Sequence, residues 1–170
     1  MFGAMLLEAR RASRNEHDQL ARGGVEAPDD VYNVMRLVYP LAFLAMLIEG
    51  ALRGGPARPV AMAGGVVFAA AKALKWWAIR SLGPFWTFRV IVVPGTVLVG
   101  RGPYRWLRHP NYVAVVGEIA GVALLTGAVV SGVTAMAGFG LLLRKRIAVE
   151  ERALDAAREP SATSKEQNRD

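Results

Sequence analysis

The sequence predicts an all-α fold, a polytopic integral membrane helical bundle with a cytoplasmic loop and a C-terminal helix. Three observations predict it. Segments 34–52 and 60–79 are almost uncharged and long enough to cross a hydrocarbon core of about 30 Å. Mean hydropathy is positive, +0.27, although the net charge is +7 and the pI about 10.4. Lysine and arginine gather in the amino-terminal region, the 80–110 stretch and the 144–146 cluster, as cytoplasmic segments of membrane proteins do. Basicity alone would fit nucleic-acid binding, but apolar runs of this length exclude a small soluble domain, so no nucleic-acid partner is expected. The length indicates one domain, residues 1–158, followed by a polar tail, 159–170, expected to be disordered. With no cysteine there is neither disulfide nor thiolate metal site, and two histidines, His17 and His109, argue against a histidine site; no metal is expected.

Residues 1–30 open with a short apolar piece and turn polar at Glu8, Arg10, Arg11 and Arg14. The apolar core of 2–7 is too short for a cleavable signal peptide and has no basic residue before it. The segment reads as an interfacial or partly inserted helix stopped by Gly23 and Gly24, with a turn at Pro28, Asp29 and Asp30. Span 34–52 carries charge only near its ends, at Arg36 and Glu49. Span 60–79 is rich in alanine and glycine, which permits close helix packing. Lys72 and Lys75 share a face near its end. A lysine at the bilayer centre costs roughly 2.5–3.5 kcal/mol, so both are expected to snorkel outward rather than line a polar cavity.

Trp76, Trp77 and Trp86 read as an aromatic belt at the membrane exit, and 87–93 as a short extended segment ended by Pro94 and Gly95. Apolar runs 112–126 and 132–143 are each short for an independent span and suggest a helical hairpin joined at 127–131. Arg144, Lys145 and Arg146 return the chain to the basic side, and 147–158 continues as a charged helix.

The most unusual chemistry lies in 101–112, where Arg101, Arg105 and Arg108 accompany Tyr104, His109 and Tyr112. Pro103 and Pro110 exclude a regular helix interior, so the stretch reads as a stiff cationic loop entering a helix, with Asn111 as its cap. A basic loop that merely sets topology would explain the arginines, but not the histidine and tyrosines at these spacings. Arg146 and Glu150 stand one helical turn apart. The plain reading is a surface ion pair worth about 0.3–0.5 kcal/mol; the alternative is a positive and a negative group at the mouth of an apolar bundle. Glu151, on another face, reads as solvated. Glu118 is deep enough to require a basic partner or a cavity.

Gly102, Pro103, Tyr104, Arg108, His109, Pro110 and Tyr112, followed by Arg146, Ile147, Glu150, Glu151 and Leu154, resemble the isoprenylcysteine carboxyl methyltransferase family of integral membrane enzymes. Ser13 to Asn15, Ala21 to Glu26 and the pattern from Trp86 to Gly95 are similar to a bacterial branch associated with O-methylation of alkylpyrones and alkylresorcinols. The resemblance runs from about residue 10 to 154. It implies S-adenosyl-L-methionine as methyl donor, bound by Val97, Leu98, Val99, Tyr104, His109, Pro110, Asn111, Tyr112 and Glu150, with Arg89 reaching the pocket and Arg146 facing the substrate as the catalytic residue. It also implies a cell-membrane protein with a cytoplasmic cofactor-binding loop and an amphiphilic small-molecule substrate from the bilayer. The family usually begins with a further membrane helix, where this chain has only a short apolar piece before Glu8. The tail after Leu154 lacks the aromatic extension of the eukaryotic enzymes, which favours a small lipid over a prenylated protein.

Methyl transfer suits these residue types. Aromatic rings attract a sulfonium, a carboxylate holds an ammonium group, and alignment supplies most of the acceleration. Arg146 could stabilise an acceptor oxyanion, and a phenolic or enolic acceptor needs no dedicated base. A carboxylate acceptor fits equally. Membrane sterol reductases using NADPH resemble the same loop without the Arg146 and Glu150 motif, and a non-catalytic membrane protein is the third reading. Nothing in the sequence sets an oligomeric state.

Overall fold

The computed structural model describes residues 2–95 and 99–158, and the expected tail lies outside them. Five α-helices and one two-stranded ribbon make up the described regular structure: α1 Phe2–Ala21, β1 Val25–Glu26, α2 Tyr32–Arg53, α3 Arg58–Leu82, β2 Ile91–Val92, α4 Pro110–Thr126 and α5 Val129–Arg158. Short 3-10 turns occupy Gly83–Phe85 and Gly102–Arg105.

Helices α2 and α3 are long and apolar enough to cross a membrane, while α4 is a shorter apolar helix. Their outer faces carry Leu37, Leu41, Leu44, Ile48, Met62 and Val66 in the open, a greasy surface suited to lipid. Inside, Phe43 and Met46 of α2 meet Val115, Ile119 and Val122 of α4 and Ala135, Phe139 and Leu143 of α5. Small residues bring α3 and α4 together. A Cβ added at Gly64 would sit 2.4 Å from the Leu125 amide nitrogen, and one at Gly121 would sit 2.6 Å from that of Phe68. The turn between α4 and α5 is tied to α2 by Glu49, which accepts the Val130 and Ser131 amides at 3.0 and 2.7 Å.

Two expectations are corrected. Lys72 and Lys75 do not snorkel outward. Lys75 is 2% exposed, and both ammonium groups meet Glu8 of α1 and Glu118 of α4. Partners from two other helices make burial affordable where water is absent. Glu118 thereby has the basic partners its depth requires. Trp86 is not an interfacial belt residue either: it is buried with Ala12 and Ile79, because α1 folds over it. Trp77 and Trp106 stay exposed and in contact, their ring centroids 5.9 Å apart.

The extended segment at 87–93 finds a partner the sequence did not announce. Val25 pairs with Val92 and Glu26 with Ile91, antiparallel. Ala27 and Val90 of this ribbon pack on Val149 and Ala153, so the ribbon lies against the C-terminal half of α5. That contact brings the loop after α3 to the Arg146 and Glu150 face.

Candidate functional site

Four pieces converge beside the ribbon: the end of α3 with its following loop, the 3-10 turn at 102–105, the start of α4, and the C-terminal half of α5. Gly102 is required where the turn meets α3. Its φ is +61°, and a Cβ there would fall 2.0 Å from Ser81 Oγ. Arg101 donates its Nε to the Ser81 carbonyl at 3.0 Å, fastening the cationic loop to the same helix end. Pro110 opens α4 and is buried, occupying a first-turn position where no amide is needed.

These pieces enclose a cavity of about 590 Å³, within the range of small-molecule sites. Val99, Tyr104, His109, Asn111, Tyr112, Arg146 and Glu150 line it together with Arg89. Val97 and Leu98 lie outside the described residues, and Pro110 is buried and not part of the lining. Phe85, Phe88, Ile91 and Leu154 form an apolar wall.

Arg146 and Glu150 are joined through a tyrosine rather than by a surface ion pair. The Tyr112 hydroxyl donates to Glu150 Oε2 at 2.6 Å and accepts from Arg146 Nε at 3.1 Å. The rest of the buried guanidinium is engaged by the Asp30 carboxylate and the Phe88 carbonyl. Asp30 also accepts the amides of Tyr32 at 3.0 Å and Val90 at 2.8 Å, so one carboxylate fixes Arg146, the start of α2 and the ribbon at once. The His109 ring stacks on Tyr112 with centroids 5.3 Å apart, its Nδ1 3.6 Å from Glu150. Arg89 pairs with Glu26 at 2.9 Å, and that hydrogen-bonded carboxylate raises its pKa. Burial, and secondarily the charge of Glu150, push the Tyr104 phenol above its ordinary range, so it stays protonated.

One further expectation is corrected. Asn111 is not the cap of α4: the cap position is His109, without a side-chain bond to the helix, because Pro110 takes the first helical position. Asn111 Oδ1 is instead buried without a hydrogen-bond partner among the described residues, and so is Trp86 Nε1. Both residues line the cavity. The Glu151 side chain is exposed, as expected. It lies 3.6 Å from His109 Nε2 and lines the cavity.

Sequence reasoning missed Asp30, Gln19 and the aromatic wall of Phe85 and Phe88. Asp30 carried only a turn signal, and nothing local links it to a position more than a hundred residues away.

The family model for isoprenylcysteine carboxyl methyltransferases matches residues 62–156, which include every cavity-lining residue named here except Gln19. YpbQ of Bacillus subtilis (strain 168), described as an uncharacterized protein, is 32% identical over 143 residues, covering 84% of this chain and 85% of its own length. An uncharacterized protein of Haemophilus influenzae is 22% identical over 142 residues, covering 83% of each chain. No solved structure matches significantly. The paired loop and α5 motifs, the matched span and the bacillary relative place this chain in the isoprenylcysteine carboxyl methyltransferase family of membrane methyltransferases.

Proposed function

We propose that the protein is a multi-pass cell-membrane enzyme that uses S-adenosyl-L-methionine to O-methylate an amphiphilic small molecule. An alkylpyrone, a phenolic lipid or a carboxylate reaching the site from the bilayer fits best. One observation carries the reading: Tyr104, His109, Asn111, Tyr112 and Glu150 line one cavity together with the apolar Phe85, Phe88, Ile91 and Leu154. Arg101, Arg105 and Arg108 stand at that end of the bundle, supporting a cytoplasmic site.

The residues fit the donor. When bound, it supplies an electrophilic methyl group on a sulfonium. Glu150, oriented by Tyr112, offers the negative charge that a sulfonium or ammonium group seeks. Tyr104 and the stacked His109 and Tyr112 bring aromatic rings, which attract a cation, to the lining. Asn111 Oδ1 and Trp86 Nε1, buried and without a hydrogen-bond partner among the described residues, suit a ligand with both a donor and an acceptor. Val99 borders the same pocket, and Pro110 fixes the entry of α4. The Arg146 guanidinium is engaged by Asp30, the Phe88 carbonyl and Tyr112, and through Tyr112 it orients Glu150. The apolar wall of Phe85, Phe88 and Leu154 receives the lipid-like part of the acceptor.

Isothermal calorimetry of detergent-purified protein with S-adenosylhomocysteine and with NADPH, on the wild type and Glu150→Ala, tests this. Binding of the homocysteine product that is lost in the variant is expected. Binding of NADPH alone would replace the reading with a reductase, and binding of neither would remove the enzyme reading.

A further inference from the structure

The charged cluster inside the bundle has no part in the site above. Glu8 lies 3.1 Å from Lys72 Nζ and 2.7 Å from Lys75 Nζ, and Glu118 lies 3.1 and 3.4 Å from the same two groups. The Tyr39 hydroxyl donates to Glu118 at 2.5 Å. Four helices contribute, and with both carboxylates and both ammonium groups ionised the cluster is neutral. That balance lets lysines remain away from water between apolar helices.

Glu8 is the member with a connection to the cavity. It starts the inward stripe of α1, Glu8, Ala12, Asn15 and Gln19, whose spacing keeps one helical face on the bundle. Ala12 packs against Ile79 and Trp86. Asn15 Nδ2 donates to the carbonyls of Gly83 at 3.1 Å and Trp86 at 2.6 Å, and Gln19 Nε2 donates to that of Pro84 at 3.0 Å. Glu16 accepts the amides of Phe88 and Arg89 at 3.0 and 3.1 Å. All these backbone groups belong to the 83–93 segment that walls the cavity. Asp30, Arg146 and β1 hold the later part of the segment, 88–92, while the bonds from α1 all fall on residues 83–89.

We propose that Glu8 is a positioning residue. By closing the charge-neutral cluster with Lys72 and Lys75 it docks α1, and docked α1 holds residues 83–89 in the shape that binds the cofactor. Only the last consequence, cofactor affinity, rests on the methyltransferase reading; the docking rests on the contacts themselves. Glu8→Gln leaves two buried ammonium groups against one carboxylate and drives α1 off the bundle. Glu8→Asp keeps the charge, and Glu8→Gln with Lys72→Met restores neutrality.

The test is amide hydrogen exchange of the purified, detergent-solubilised full chain, with S-adenosylhomocysteine calorimetry in parallel. In Glu8→Gln, exchange across 83–89 should quicken by about tenfold or more while the core of α4 around Ile119 stays protected. Affinity for S-adenosylhomocysteine should fall by about tenfold. Glu8→Asp and the double variant should recover most of both. Wild-type protection across 83–89 in Glu8→Gln would overturn the proposal, as would a double variant no better protected than Glu8→Gln. If Glu8→Gln does not accumulate, a folded and protected double variant supports the proposal and an unfolded one overturns it. The expected exchange pattern with no S-adenosylhomocysteine binding in the wild type would leave the docking role standing and remove the methyltransferase reading.

Discussion

Replacing Asp30 by asparagine removes one charge and almost no volume, which isolates what the Asp30–Arg146 pair does. Both side chains are buried, and the guanidinium has no other acid within ion-pair distance among the described residues. Stripping a buried charge of its partner costs about 3–5 kcal/mol, a large share of the 5–15 kcal/mol by which domains are typically stable. The loss should concentrate where Asp30 also holds the Tyr32 and Val90 amides, since asparagine keeps one of two acceptor oxygens. A second effect reaches the cavity. Once released from Asp30, Arg146 no longer fixes the Tyr112 hydroxyl at 3.1 Å, and Tyr112 no longer holds Glu150 at 2.6 Å. Loosening a hydrogen bond to a charged group costs about 1.5–3 kcal/mol, and half that cost would already weaken S-adenosylhomocysteine binding severalfold. The assay is a double-mutant cycle with Asp30→Asn, Arg146→Met and the pair, read by unfolding in detergent and by calorimetry. A coupling of at least about 2 kcal/mol is expected, with the pair more stable than the sum of its singles predicts. Additive losses would refute the claim that these residues act as one buried unit.

Tyr112→Phe deletes the hydroxyl shared by Arg146 and Glu150 and should lower S-adenosylhomocysteine affinity about tenfold by calorimetry, with about 1–3 kcal/mol of stability lost because the buried Arg146 Nε loses its acceptor. Gly121→Ala forces a Cβ to within 2.6 Å of the Phe68 amide, so α3 and α4 must part; about 1–3 kcal/mol of stability should be lost in detergent unfolding. Tyr104 keeps its proton in the folded protein above the pH near 10 at which the unfolded chain releases it, so this group lowers stability as pH climbs past that value. Tyr104→Phe should therefore flatten the alkaline limb of a melting-temperature profile and leave it unchanged below about pH 9.

The amino-acid sequence by itself determined the helical membrane class and much of the cavity's composition. Hydropathy marks α2 and α3 because every residue of a span must tolerate lipid, a condition written continuously along the chain. Tyr104, His109, Tyr112, Arg146 and Glu150 were legible because prolines and helical spacing place each motif on a loop or one helix face. Interactions between distant segments were not. Asp30 reaches Arg146, Glu26 pairs with Ile91, and Glu8 neutralises Lys72 and Lys75, and none of these pairs shares a local pattern. Lys72 shows the reason most plainly. Hydropathy assigns it the cost of an isolated lysine in lipid, but that cost depends on the charges brought beside it. Only the packing of α1 and α4 against α3 decides whether the ammonium must leave the membrane or can stay.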